Sequence, residues 1–81
     1  MAEPINIGKA IHDELLRQER TVAWLARKLG TNRMACYRIF DSYSIDTLLL
    51  ERISIILNFD FFILYSNRLN NKNDMWQMCY T

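Results

Sequence analysis

Proline and glycine are scarce in this 81-residue chain, which has one proline, at position 4, and two glycines. So few breakers leave long stretches uninterrupted, and runs of Leu, Ile, Arg, Gln and Glu favour helix over strand, so the expectation is an all-α domain. Catalytic groups are scarce too. One histidine, no glycine-rich phosphate loop and no cluster of carboxylates leave nothing to run general acid/base or nucleophilic chemistry, so an enzyme is not expected. Cys36 and Cys79 do not have metal-ligand spacing, and neither a metal nor another cofactor nor a small-molecule ligand is expected. No apolar run approaches the roughly 20 residues of a membrane span, and no charged-then-apolar leader begins the chain. A reduced, soluble, cytoplasmic protein with no membrane partner fits these absences. Charge of a single sign is also missing, since the net charge is only +1.

That near-neutrality hides an uneven distribution. Residues 1–40 carry seven Lys/Arg against four Asp/Glu, residues 41–81 carry three against five, and Arg17 to Arg38 holds six basic residues and one acidic. The basic charge thus collects on Thr21 to Phe40, TVAWLARKLGTNRMACYRIF. Here Val22, Leu25, Ala26 and Leu29, then Cys36, Ile39 and Phe40, recur at the three- and four-residue steps of a helical face. Thr21 stands as an N-cap, Gly30 where a helix ends with positive φ, and Asn32 where the next begins. Two helices, about 22–29 and 32–40, are expected, with Arg33, Met34, Tyr37 and Arg38 on the outer side of the second. Trp24 is expected to pack on the first helix, on the C-terminal tail or at a subunit contact.

Around this pair the chain supplies three more helices. Pro4 suits a helix lead-in, and Ile7, Ile11 and Leu15 mark an amphipathic helix over about 5–19. His12 lies on it as a surface or rim residue, having no second histidine or nucleophile to work with. Asp41 to Ser44 is a polar turn, after which Ser44 or Asp46 can cap a helix over about 45–57. Its apolar stripe is Leu49, Ile53, Ile56 and Leu57, with Glu51 and Arg52 outward. Asp60 can cap a fifth helix, about 61–69, which is apolar nearly all round through Phe61, Phe62, Ile63, Leu64 and Tyr65. So small a core cannot cover every side of such a helix. Residues 70–81, a polar break and then Met75, Trp76, Gln77, Met78, Cys79 and Tyr80, form an apolar tail that either docks back or exchanges with a second subunit. Phe61, Phe62, Leu64, Tyr65, Met75 and Trp76 are the candidate dimer or tail contacts.

Over about residues 5–67 the chain resembles the lambda-repressor-like (phage repressor and Cro type) helix-turn-helix domains of small bacterial regulators. Carrying the resemblance are Leu25-Ala26, Gly30 at the turn, Asn32 opening the second helix, Cys36 and Ile39 as its buried positions, and the downstream pair Ile45 to Ser54 and Leu57 to Phe62. Val22 stands where many members have a phosphate-touching glutamine, Thr31 where an aliphatic residue is usual, Cys36 where a branched aliphatic is usual, and the loop after Phe40 has no glycine.

The resemblance implies a compact five-helix fold and a second helix that enters the major groove, which is about 12 Å wide and admits one α-helix. Asn32, Arg33, Met34, Tyr37 and Arg38 then become base contacts, and Arg20, Thr21, Arg27 and Lys28 phosphate contacts. A symmetric homodimer would read half-sites about 34 Å apart. The expected function is sequence-specific binding of double-stranded DNA by a transcriptional regulator, most simply a repressor. From a different class comes a helical protein-interaction or antitoxin-like module with weak or no DNA binding.

Overall fold

A computed structural model of the chain describes residues 4–70, which form five α-helices and no strand. The expected all-α class is what is found. The candidate contacts Met75 and Trp76 lie outside the described residues.

Local side-chain chemistry sets most helix limits. α1, Ile7–Arg17, begins where the Asn6 side chain accepts from the Lys9 N–H at 3.1 Å. It closes through Glu19 at φ 59°, with the Arg20 N–H on the Leu15 carbonyl at 3.1 Å and the Glu19 N–H on that of Leu16 at 2.9 Å. α1 is therefore shorter at both ends than the expected 5–19, because Asn6 rather than Pro4 sets its start and a left-handed residue stops it. α2, Val22–Leu29, is capped by Thr21, whose hydroxyl accepts from the Trp24 N–H at 3.0 Å, and ends at Gly30 with φ 73°. α3, Arg33–Phe40, is capped by Asn32, whose carboxamide oxygen accepts from the Ala35 N–H at 2.9 Å, so Asn32 stands outside the helix. α4, Thr47–Leu57, starts two residues later than expected, because Asp46 and not Ser44 is the cap, accepting from Leu49 N–H at 2.7 Å. Asn58 at φ 52° closes it. α5, Phe62–Asn70, starts after Asp60 accepts from the Phe62 N–H at 3.0 Å.

α1 packs on α3 and α4, and α2 packs on the same two helices. Ile7, Ile11, Leu15, Leu25, Cys36, Ile53 and Leu57 lose all or nearly all contact with solvent between them. On α4 the buried stripe is Leu50, Ile53 and Leu57; Leu49 and Ile56 are half-buried, as is Ile39 on α3, where Phe40 takes the deeper place. Phe61 corrects the expectation of a dimer or tail contact. It is fully buried in this core, because the turn before α5 drives its ring inward. Leu64 and Tyr65 also pack partly on the core, whereas Phe62 and Ile63 remain exposed.

The approach of α1 to α3 depends on Gly8. A Cβ there would lie 2.3 Å from the Ile39 carbonyl oxygen and 2.4 Å from that of Phe40, both backbone atoms. At this contact the Gly8 N–H, a donor left over at a helix start, reaches the Ser42 carbonyl at 2.9 Å. A second tie joins α1 to α4. The nearly buried Glu14 carboxylate accepts from Arg17 Nε at 2.9 Å and from Gln18 Nε2 at 2.7 Å, and the same Gln18 nitrogen donates to the Leu57 carbonyl at 2.7 Å. These bonds hold the Glu14 carboxyl below its usual range, the Arg17 hydrogen bond contributing most and burial opposing it. Among the described residues no helix is long and apolar enough to cross a membrane.

Candidate nucleic-acid interface

α2 and α3 meet across the Gly30 turn, with Leu25, Ala26, Leu29 and Cys36 facing inward. Inward burial fixes what points outward. On α3 the outward side chains are Arg33, Met34, Tyr37 and Arg38, with Met34 65% and Tyr37 52% exposed. Leaving a methionine and a tyrosine this open gains the fold nothing. Tyr37 is braced by an edge contact to Phe40, at 5.9 Å between ring centroids. Phe40 is in turn stacked on His12, at 4.3 Å and 9° between planes. His12 is thus the half-buried rim residue expected, packed flat on an aromatic ring.

Arg33 is the most informative cation in this region. It occupies the first turn of α3, where the helix macrodipole disfavours positive charge by roughly 0.3–1 kcal/mol, and no acidic residue shares that turn. Arg27, Lys28 and Arg38 lie in the last turns of α2 and α3, where a cation complements the dipole whatever else it does. Stability alone therefore accounts for those three and does not account for Arg33.

Arg20 and Lys28 converge on Trp24. The Arg20 guanidinium carbon lies 4.6 Å, and Lys28 Nζ 5.9 Å, from a Trp24 ring centroid. Trp24 packs against the core edge from within the pair, so its ring offers a fixed face to both cations. Thr21 beside them is exposed; its oxygen accepts the cap bond and its O–H is free to donate outward. Among the described residues, Arg20, Arg27, Lys28, Arg33, Arg38 and Arg52 have no ion pair. Asn32 keeps its amide donors for an outside partner, its oxygen being used in the cap.

Arg38 has a second set of neighbours besides its expected companions. One turn after Met34 and exposed like it, Arg38 stands at the edge of that face, where it borders a recess between helices beside Thr31, Leu49 and Arg52. Arg52 had no role in the sequence reading beyond facing outward. Its position three residues after Leu49 and four before Ile56 puts it on their half-buried stripe, which is the signal that tied it to α2 and α3. Its Nη2 donates to the Leu29 carbonyl at 3.2 Å.

Cys36 is buried, and burial raises its thiol pKa, so it serves as a small apolar core residue. Among the described residues no group of three or more His, Cys, Asp or Glu side chains could hold a metal ion. No family model, curated protein or solved structure matches the chain.

Proposed function

We propose that the protein is a lambda-repressor-like, sequence-specific DNA-binding regulator, most simply a cytoplasmic repressor, that inserts α3 into the major groove. One observation carries the reading: Arg33, exposed and without an ion pair among the described residues, stands on the first turn of α3 against the helix dipole, beside exposed Met34 and Tyr37. An arginine in that position presents a two-pronged donor to a guanine edge, and a methionine suits a thymine methyl. Arg20, Lys28 and Thr21 at α2 supply phosphate contacts that set register without reading sequence. Two copies acting on an inverted repeat complete the scheme, with exposed Phe62, Ile63 and Leu69 of α5 as the surface they share.

Selection of binding sites from random duplex DNA tests this directly, and an enriched inverted repeat is expected. Arg33→Ala should then weaken the selected site by roughly 1–3 kcal/mol, about 5- to 150-fold, and relax one base position. No enriched sequence, together with binding indifferent to Arg33→Ala, would sink the proposal.

The apolar exposure on α5, on a chain of net charge +1, favours a second reading, a helical protein-interaction or antitoxin-like module. DNA binding that falls steeply with salt, by about 0.9 log units per log salt for each phosphate contacted, separates the two.

A further inference from the structure

Arg38 of α3 and Arg52 of α4 flank one recess of about 330 Å³, with Thr31 at its α2 to α3 turn and Leu29, Ile39 and Leu49 in its walls. No acidic side chain lines it, and neither arginine has an ion pair among the described residues. Both side chains are exposed, and an anion seated between them would offset two like charges that flank one recess. Arg52 is also fixed in direction, because its Nη2 is tied to the Leu29 carbonyl, while its remaining N–H groups stay available.

The geometry points to an oxyanion site of the phosphate class, gripped by Arg38 and Arg52 with the Thr31 hydroxyl as a third donor. A carboxylate is satisfied by one guanidinium fork. Two forks and a hydroxyl match a tetrahedral group with several acceptor oxygens, and planar guanidinium donors suit phosphate better than a lysine point charge would. The phosphate can come from the backbone of a DNA duplex or from free phosphate. Only the duplex source rests on the DNA-binding proposal, in which the recess would face a strand alongside α3.

The test is a titration of the full ¹⁵N-labelled chain, at fixed ionic strength, first with inorganic phosphate against a chloride control and then with a duplex of about 20 base pairs spanning two half-sites. Saturable shifts of the Thr31 amide and of the Arg38 and Arg52 Nε–H signals are expected in at least one arm, weakened about tenfold by Arg38→Gln or by Arg52→Lys. Arg52→Lys keeps the charge and removes the fork, Thr31→Val removes only the hydroxyl, and circular dichroism confirms that each variant folds. If the duplex is the source, Arg38→Gln and Arg52→Gln should each lower the slope of log affinity against log salt by about one. Shifts with inorganic phosphate and unchanged duplex slopes assign the site to free phosphate, and the site stands even if DNA does not bind. If these three residues respond in neither arm, the site is overturned; a loss of DNA affinity in Arg33→Ala would then still leave the DNA-binding proposal in place.

Discussion

Four helices, α1 to α4, each bury residues against one another, whereas α5 buries none of its own. What anchors α5 is Phe61, the residue before it, with Leu64 and Tyr65 packed partly behind. Phe62, Ile63 and Leu69 are left 36%, 44% and 46% exposed. Each of the first four helices places apolar residues in the core, although Leu16, Met34, Tyr37, Leu48 and Ile55 stay exposed on them; α5 places none there fully, and most of its apolar residues lie at the surface. A core shared by so short a chain saturates with four helices, and the apolar content of the fifth is therefore available for something other than the fold.

Removing the anchor breaks the contrast most severely. Phe61→Ala should cost about 3–5 kcal/mol, which approaches the whole stability of a domain this size, and urea denaturation followed by circular dichroism measures it. A loss below about 1 kcal/mol would mean that Phe61 does not belong to the core of α1 to α4. Next comes Gly8→Ala. On an open helix this change would help by up to about 1 kcal/mol. Here the added carbon meets backbone oxygens of Ile39 and Phe40, which cannot swing aside as a side chain can, so a loss of about 3 kcal/mol is expected in the same assay.

Acid probes the tie between α1 and α4, and Glu14→Gln separates it from the other carboxylates that titrate with it. The folded Glu14 carboxyl titrates below its usual range, chiefly through Arg17. A group with a lowered folded pKa adds stability that is complete above its unfolded value, near pH 4.3, and is lost as pH falls through the folded value. Melting temperature should therefore drop below about pH 4, and Glu14→Gln should flatten that drop while lowering stability at neutral pH. An unchanged acid slope in Glu14→Gln would exclude this carboxylate as its source.

How much of this was legible in the residues depended on range. Thr21, Asn32, Asp46 and Gly30 act on backbone within three or four positions, and each does in the structure what its chemistry suggests. Glu19 does not announce itself, because glutamate has no preference for the left-handed region. It sits there between Gln18, held to Leu57, and Arg20, lying on Trp24. Gly8 was silent for a similar reason, since its role is set by carbonyls at the far end of α3. In the run Phe61 to Tyr65 five consecutive apolar residues hide the register, so nothing local shows that Phe61 alone is fully covered. At the candidate interface Arg33, Met34 and Tyr37 face outward as helical spacing requires. Arg38 and Arg52 meet through the packing of α3 on α2 and of α2 on α4, which periodicity within one helix does not contain.

The smallest effect on stability should come from Ile63→Asp, and it sharpens the contrast furthest. Ile63 lies in the first turn of α5, 44% exposed, with no acidic residue nearby in that turn. An aspartate there complements the helix dipole by roughly 0.3–1 kcal/mol and gives up only partial burial, so folding stability should stay within about 0.5 kcal/mol of the original. If the exposed side of α5 is shared between two copies, the same change places two unpaired carboxylates in an apolar contact and should turn dimer into monomer in sedimentation equilibrium at micromolar concentration. Unchanged stability with lost association would assign the apolar surplus of α5 to a second copy. Unchanged association would free that surface from any role in a dimer, and a large loss of stability would return Ile63 to the fold and remove the distinction between α5 and the other four helices.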